Sequence, residues 1–250
     1  DRTVKVWNIE TGKELNTLHG HRQRIWDVEF GPNGRLVVIC SVDGTIKLWD
    51  RTSDDEPVVF RGHSGPVYGV AFTPDARRII SCGKDKTLKV WDVSGHKDDM
   101  HIGDRAWGSI SISPDGQRVL SANLDGTLTV WDTSTGAEIM ALRGHRGGNT
   151  GAYCSPDGKF ISMCQYETTK VWDAGTGAEI LNLRKQNRWL CLAFSPDSKR
   201  IATLSVDYDW GEFDDTIDLL DSATGEKLMT LQGQGITSVT FSPDGKHIIS

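Results

Sequence analysis

No apolar run in the 250 residues approaches the eighteen or so that a membrane-spanning helix needs, and no amphipathic helix period survives anywhere. A transmembrane helix is thereby excluded. The sequence also lacks G-x-x-x-x-G-K-S/T, G-x-S-x-G, H-E-x-x-H and the dinucleotide fingerprint, so no nucleotide or catalytic motif is present. We therefore expect no enzyme activity and no cofactor. Basic residues are in deficit, 28 against 34 acidic ones, and the net charge of -6 argues against a general nucleic-acid binder. Cys40, Cys82, Cys154, Cys164 and Cys191 show neither zinc-type nor redox-type spacing. They read as small buried hydrophobes in a reducing compartment, which makes a cytoplasmic location the expectation. The chain shows no initiator Met and no signal peptide and begins in mid-repeat, so its true N-terminus is expected to lie outside it.

One stretch, Gly62 to Asp92, organises what is there. Gly62-His63 opens it, and an alternating run from Val67 to Phe72 follows. A tight turn, Thr73-Pro74-Asp75-Ala76, leads to a second run, Arg78 to Cys82. A polar turn ending at Asp85 precedes a third run, Thr87 to Trp91, which closes on Trp91-Asp92. Short runs with period-two alternation between turn residues predict an antiparallel meander. The unit repeats. Trp7, Trp49, Trp91, Trp131 and Trp172 recur at spacings of 42, 42, 40 and 41, and Leu220-Asp221 stands at a sixth site, 48 residues on. The turn recurs as GPNG at 31–34, TPDA at 73–76, SPDG at 113–116, 155–158 and 242–245, and SPDS at 195–198. Proline sets φ at its first central position, aspartate bonds the local backbone, and glycine accepts the left-handed position. After each Trp a further strand is predicted, at Glu14–Leu18, Glu138–Leu142, Glu179–Leu183 and Lys227–Leu231, giving four strands per unit.

Gly-His, a period near 40, the SPDG turn and the Trp-Asp ending together resemble the WD-repeat β-propeller family, in the style of bacterial repeat arrays, over the whole chain. The resemblance implies an all-β fold, a propeller of four-stranded antiparallel blades packed around a channel. We expect a single domain over 1–250, with units at about 20–50, 62–92, 103–132, 144–173 and 185–221. A split unit would join 233–250 to 1–18. Gly245 to Ser250 aligns with Ala76 to Ser81, and Asp1 to Trp7 aligns with Asp85 to Trp91. Six blades follow, five continuous and one made by both termini, with Asp1 and Ser250 within roughly 15 Å. Seven or more blades in a longer parent is the alternative.

The family resemblance also implies a buried hydrogen-bond network, which falls here on His63, Ser81, Asp85 and Trp91. Other units depart from it. Ile39 replaces the serine beside His21, Asp43 and Trp49, and Tyr166 replaces the aspartate beside His145, Ser162 and Trp172. The unit with Ser121, Asp125 and Trp131 has Asp104 near the His position, and the last full unit has Thr203 and Asp214 without His or Trp. A set that recurs and ends on a Trp donor reads as structural rather than as a nucleophilic triad.

Binding candidates remain. The stretch Asp207 to Asp215 gives the last full unit seven extra residues in the turn between second and third strands, on the face of the Gly-His loops, where long loops carry function. Asp209, Trp210 and Glu212 combine an aromatic anchor with carboxylates. The D-x-D-x-G-x-x-D spacing also suits a calcium ligand set without matching the full EF-hand loop, while His19, His21, His96, Asp98, Asp99 and His101 are better explained as turn and loop residues, so the expectation is no metal. Arg24, Trp107, Tyr166 and Arg188 stand at strand entries on the same face and complete the partner-binding set. The resemblance implies a non-enzymatic scaffold for protein or peptide partners, without nucleic acid or membrane, within a larger polypeptide or complex. The alternative is the regulatory propeller of a kinase- or NTPase-type enzyme.

Overall fold

The computed structural model describes residues 2–53, 55–94, 100–102, 106–123, 125–143, 151–165, 168–184, 188–207, 215–233, 236 and 238–250. Strand residues 100, 101, 106–108, 165, 188–191 and 205–207 are described by backbone alone. Every regular element among them is a strand, and none of the described residues forms a helix long and apolar enough to cross a membrane.

Among the described residues, five four-stranded antiparallel sheets run in sequence. After β1 (Val4–Trp7) and β2 (Glu14–Leu18), the first contains β3 (Ile25–Phe30), β4 (Leu36–Ser41), β5 (Thr45–Asp50) and β6 (Val58–Arg61). The second contains β7 (Val67–Phe72), β8 (Arg78–Gly83), β9 (Leu88–Asp92) and β10 (Met100–Ile102). The third is built from β11 (Ala106–Ile112), β12 (Arg118–Asn123), β13 (Leu128–Asp132) and β14 (Glu138–Leu142). The fourth has β15 (Gly151–Cys154), β16 (Phe160–Gln165), β17 (Thr168–Asp173) and β18 (Glu179–Arg184). The fifth has β19 (Arg188–Phe194), β20 (Arg200–Asp207), β21 (Asp215–Asp221) and β22 (Lys227–Gly233). A pair, β23 (Thr240–Phe241) and β24 (Ile248–Ile249), ends the chain.

Local chemistry sets these meanders. In the SPDG turn the Ser113 hydroxyl donates to Asp115, whose carboxylate accepts the Gln117 amide, and Gly116 takes φ 72°. Ala76 and Ser198 occupy that same left-handed position without being glycine, at φ 57° and 58°. At the other connection on this side, Asp132 accepts the amides of Ser134 and Thr135 and turns the chain into β14. A bulge at Val130/Trp131 re-aims the tryptophan, and Val171/Trp172 and Leu219/Leu220 repeat it.

Each sheet buries one face against the next. Val38, Cys40 and Leu48 of the first sheet pack with Val70, Phe72, Ile79 and Trp91 of the second, with Phe60 of β6 closing the outer end. Leu142 joins the third and fourth sheets in the same way. First strands lie beside first strands: β3 by β7, β7 by β11, β11 by β15.

The split unit departs from expectation. Its four strands form two separate two-stranded sheets, β1–β2 and β23–β24, with no ladder between β24 and β1. Each pair packs on the sheet whose core it shares. Val4 and Leu18 pack with Val37, Ile39 and Trp49, while Val239, Phe241 and Ile248 pack with Ala202, Leu204 and Leu219. Rows that are covered at other junctions are therefore open here. Val28 and Phe30 are 44% and 50% exposed, against 3% and 5% for Val70 and Phe72 at the same repeat positions. Asp1 lies outside the described residues, and its distance from Ser250 with it.

Candidate interaction face

The four side chains of the network meet. His63 Nδ1 lies 2.9 Å from Asp85 Oδ1, and His63 Nε2 lies 2.7 Å from the Ser81 hydroxyl. The Trp91 indole N–H donates to the same Ser81 oxygen at 2.8 Å. Burial holds the His63 pKa below its ordinary value despite the neighbouring Asp85 carboxylate. The ring is therefore neutral near pH 7, its Nδ1–H donating to Asp85 and its Nε2 accepting the Ser81 O–H. Burial opposes the charge on Asp85, but the His63 ring, the Ser64 amide and the Thr87 hydroxyl outweigh it and hold the carboxyl at about 2. Gly83 makes the arrangement possible, because a Cβ there would stand 2.6 Å from His63 Nδ1.

Distances alone would suit a nucleophilic triad, but access excludes one. Ser81 is wholly buried and its oxygen is occupied by the Trp91 indole, so no substrate carbonyl can reach it. The set pins the Gly-His loop and the β8–β9 turn to the outer tryptophan.

The first sheet keeps half of this device. His21 Nδ1 lies 3.0 Å from Asp43, which also accepts the Arg22 amide, but His21 Nε2 is buried without a partner. Ile39 stands where Ser81 stands and offers neither His21 nor Trp49 a hydrogen bond. In the third sheet Ser121 again receives its tryptophan, Trp131, at 2.9 Å, while Asp125 holds Thr127.

Of the residues chosen as partner-binding, Arg24 is exposed on the Gly-His side. Its guanidinium stacks over the Trp26 ring at 5.2 Å, and Trp26 meets Tyr68 of the next sheet edge-on at 5.0 Å. Trp26 is 45% exposed. Trp107 and Arg188 fall in β11 and β19, where backbone alone is described; Tyr166, Asp209, Trp210 and Glu212 lie outside the described residues. So do His96, Asp98, Asp99, Asp104, His145 and Asp214. Among the described residues no group of three or more His, Cys, Asp or Glu side chains could hold a metal.

Trp26 and Tyr68 were not singled out from sequence, since both sit inside an alternating strand that reads as core. Their shared place, six residues before the turn proline at Pro32 and Pro74, was the available signal.

Sequence reasoning also missed Asp27 and Glu29. Their carboxylates reach from β3 to the facing edge of β7, accepting the Val70 amide at 3.2 Å and the Phe72 amide at 2.9 Å. They line a cavity of about 310 Å³ with Ser111, Ser113, Pro74 and Pro114. Burial pushes Glu29 up to about 7 against the pull of the Phe72 amide, and the Asp27 charge adds to the rise. Asp27 is likewise raised by burial, opposed by the Val70 and Val28 amides.

Comparison with known proteins agrees with the repeat unit. The family model described as WD domain, G-beta repeat matches residues 12–50, 56–92, 93–132 and 225–250. A curated relative, the WD40 repeat-containing protein HOS15 of Arabidopsis thaliana, is 43% identical over 37 residues. That match covers 15% of this chain and 6% of the relative, about one repeat.

Proposed function

The chain belongs to the WD domain, G-beta repeat family, and from that premise we propose that it is a non-enzymatic scaffold that docks peptides or protein domains on its Gly-His face. WD40 repeats generally mediate protein–protein interaction, and this reading brings that general role to a particular surface. The observation that carries it is the Arg24–Trp26–Tyr68 cluster, an exposed cation and two aromatics bridging two sheets. Trp, Tyr and Arg dominate interface energetics because each presents a large contact area with a polar handle. In this reading residues 1–250 act as one propeller. Its remaining junction closes when Val28 and Phe30 are covered as Val70 and Phe72 are, and the β23–β24 pair, with Ile249 61% exposed, carries the matching face.

The test is recovery of partners from lysate by the wild-type chain and by a Trp26→Ala, Arg24→Glu variant matched for thermal stability. Loss of specific partners from the variant is expected. Retention of the same partners by both would remove this cluster from the site.

A further inference from the structure

One arc of the Gly-His face, over β1 and the first two sheets, runs against the acidic balance of the chain as a whole. Its loops over β1, the first sheet and the second carry Arg2, Arg22, Arg24, Lys84 and Lys86, while the net charge is -6. Contacts join them into one rim. The Arg2 guanidinium donates to the Arg22 carbonyl at 3.5 Å, and the Arg22 amide is tied to Asp43. A Cβ on Gly44 would stand 3.1 Å from the Gly65 carbonyl, and one on Gly65 would stand 3.5 Å from the Lys84 side chain. Arg22, Arg24, Lys84 and Lys86 are all exposed.

The carboxylates of these loops are already engaged. Asp43 binds His21, the Arg22 amide and Thr45; Asp85 binds His63, the Ser64 amide and Thr87. Both keep their charge, and the five cations of the rim outnumber them.

The backbone gives a second, independent observation. In the turn between second and third strands, Gly44 and Gly126 take the left-handed position at φ 81° and 80°. At that position in the second sheet stands Lys86 at φ 67°, and in the β1 unit Arg2 at φ 69°. An L side chain is strained there, so neither cation is the residue that the turn prefers. Both are long cations, both are exposed, and both stand at the same position of the repeat. Among the described residues of this turn, the two at the left-handed position that are not glycine both carry a positive charge.

We propose that this rim docks an acidic peptide segment of a partner protein, with Arg2, Arg22, Lys84 and Lys86 facing its carboxylates and Trp26 taking an apolar side chain. The inference rests on the scaffold reading above and names the partner's chemistry. Charge complementarity of this kind steers encounter and selects partners.

The probe is a fluorescein-labelled decaglutamate peptide, titrated with the wild-type chain and followed by fluorescence anisotropy. Binding is expected, and it weakens at least ~10-fold when ionic strength rises from ~0.05 M to ~0.3 M. A Lys86→Gly, Arg22→Gln variant is expected to bind ~10-fold or more weakly while melting no lower than wild type, since Lys86→Gly relieves the left-handed strain. Equal binding by wild type and variant, or no binding by either, would overturn the inference. So would tighter binding of a DNA duplex or of phosphatidylserine vesicles than of decaglutamate. If Trp26-dependent partners are retained by the Lys86→Gly, Arg22→Gln variant, the acidic-segment inference fails while the scaffold reading stands. If decaglutamate binds but Trp26→Ala loses no lysate partner, the scaffold reading fails instead.

Discussion

The first and second sheets carry their tryptophans 42 residues apart and the same Gly-His opening, yet they differ at three kinds of position. The second has the complete His63–Ser81–Trp91 chain; the first has Ile39 in place of the serine and leaves His21 Nε2 unpartnered. The second buries Val70 and Phe72, whereas the first exposes Val28 and Phe30. The second has Gly69 and Ala71 on its first strand where the first has Asp27 and Glu29. Both keep the tryptophan buried, Trp49 at 8% and Trp91 at 4% exposure. Packing of the ring is therefore the shared requirement, and the hydrogen-bond network is a refinement that a blade can lose.

The largest expected effect follows from that ranking. Trp91→Ala should cost about 3–5 kcal/mol in urea unfolding, because it empties a buried ring site between two sheets. Trp7, at the same repeat position but 52% exposed, should cost well under half as much. Equal losses would mean that Trp7 is covered in solution, with the β23–β24 pair closing over it.

Next comes the network. Ser81→Ala strands both His63 Nε2 and the Trp91 indole, for about 1–3 kcal/mol. Ile39→Ser in the first sheet should cost less than Ile80→Ser in the second, since the new hydroxyl satisfies His21 while its counterpart satisfies nothing. Equal costs would show that the orphaned nitrogen carries no penalty.

The carboxylates of β3 sharpen the third difference through pH. Glu29 titrates near 4.5 unfolded and at about 7 folded. Its contribution to stability is thus complete below pH 4.5 and lost as pH rises through 7. Glu29→Gln should flatten that loss, by about 1 kcal/mol at pH 8, modest because the half-buried carboxyl keeps solvent contact. Thermal melts at pH 5 and pH 8 decide it, and an unchanged pH slope in the variant would assign the dependence to other groups. The smallest effect is a gain: Lys86→Gly should stabilise by about 0.5–1 kcal/mol by removing a side chain from a left-handed turn.

Strands, turns and tryptophans were legible in the sequence because each rests on local chemistry that the period repeats. The alternation from Val67 to Phe72 and the turn at Thr73–Ala76 need no knowledge of the neighbouring sheet. Exposure of Val28 and Phe30 does, since the same alternation is buried or open according to what lies across the junction. For that reason the sequence predicts the strands of the split unit, while the packing of each pair on its own neighbouring sheet is visible only in the structure. Arg24 was found through its place after Gly-His, but its partner Trp26 was hidden within a strand pattern. Asp27 and Glu29 carried a signal in the unit-to-unit comparison, where Gly69, Ala71, Ser109 and Ser111 are small and neutral.

The most direct test of the interaction face is site-directed photocross-linking, with p-benzoylphenylalanine placed at the exposed Gln23 on the Gly-His side or at the exposed Arg77 of the opposite turn. In lysate the Gln23 position is expected to capture a discrete partner that Trp26→Ala abolishes, and the Arg77 position is expected to capture none. Capture from Arg77 alone would place the working surface on the other face and contradict the account.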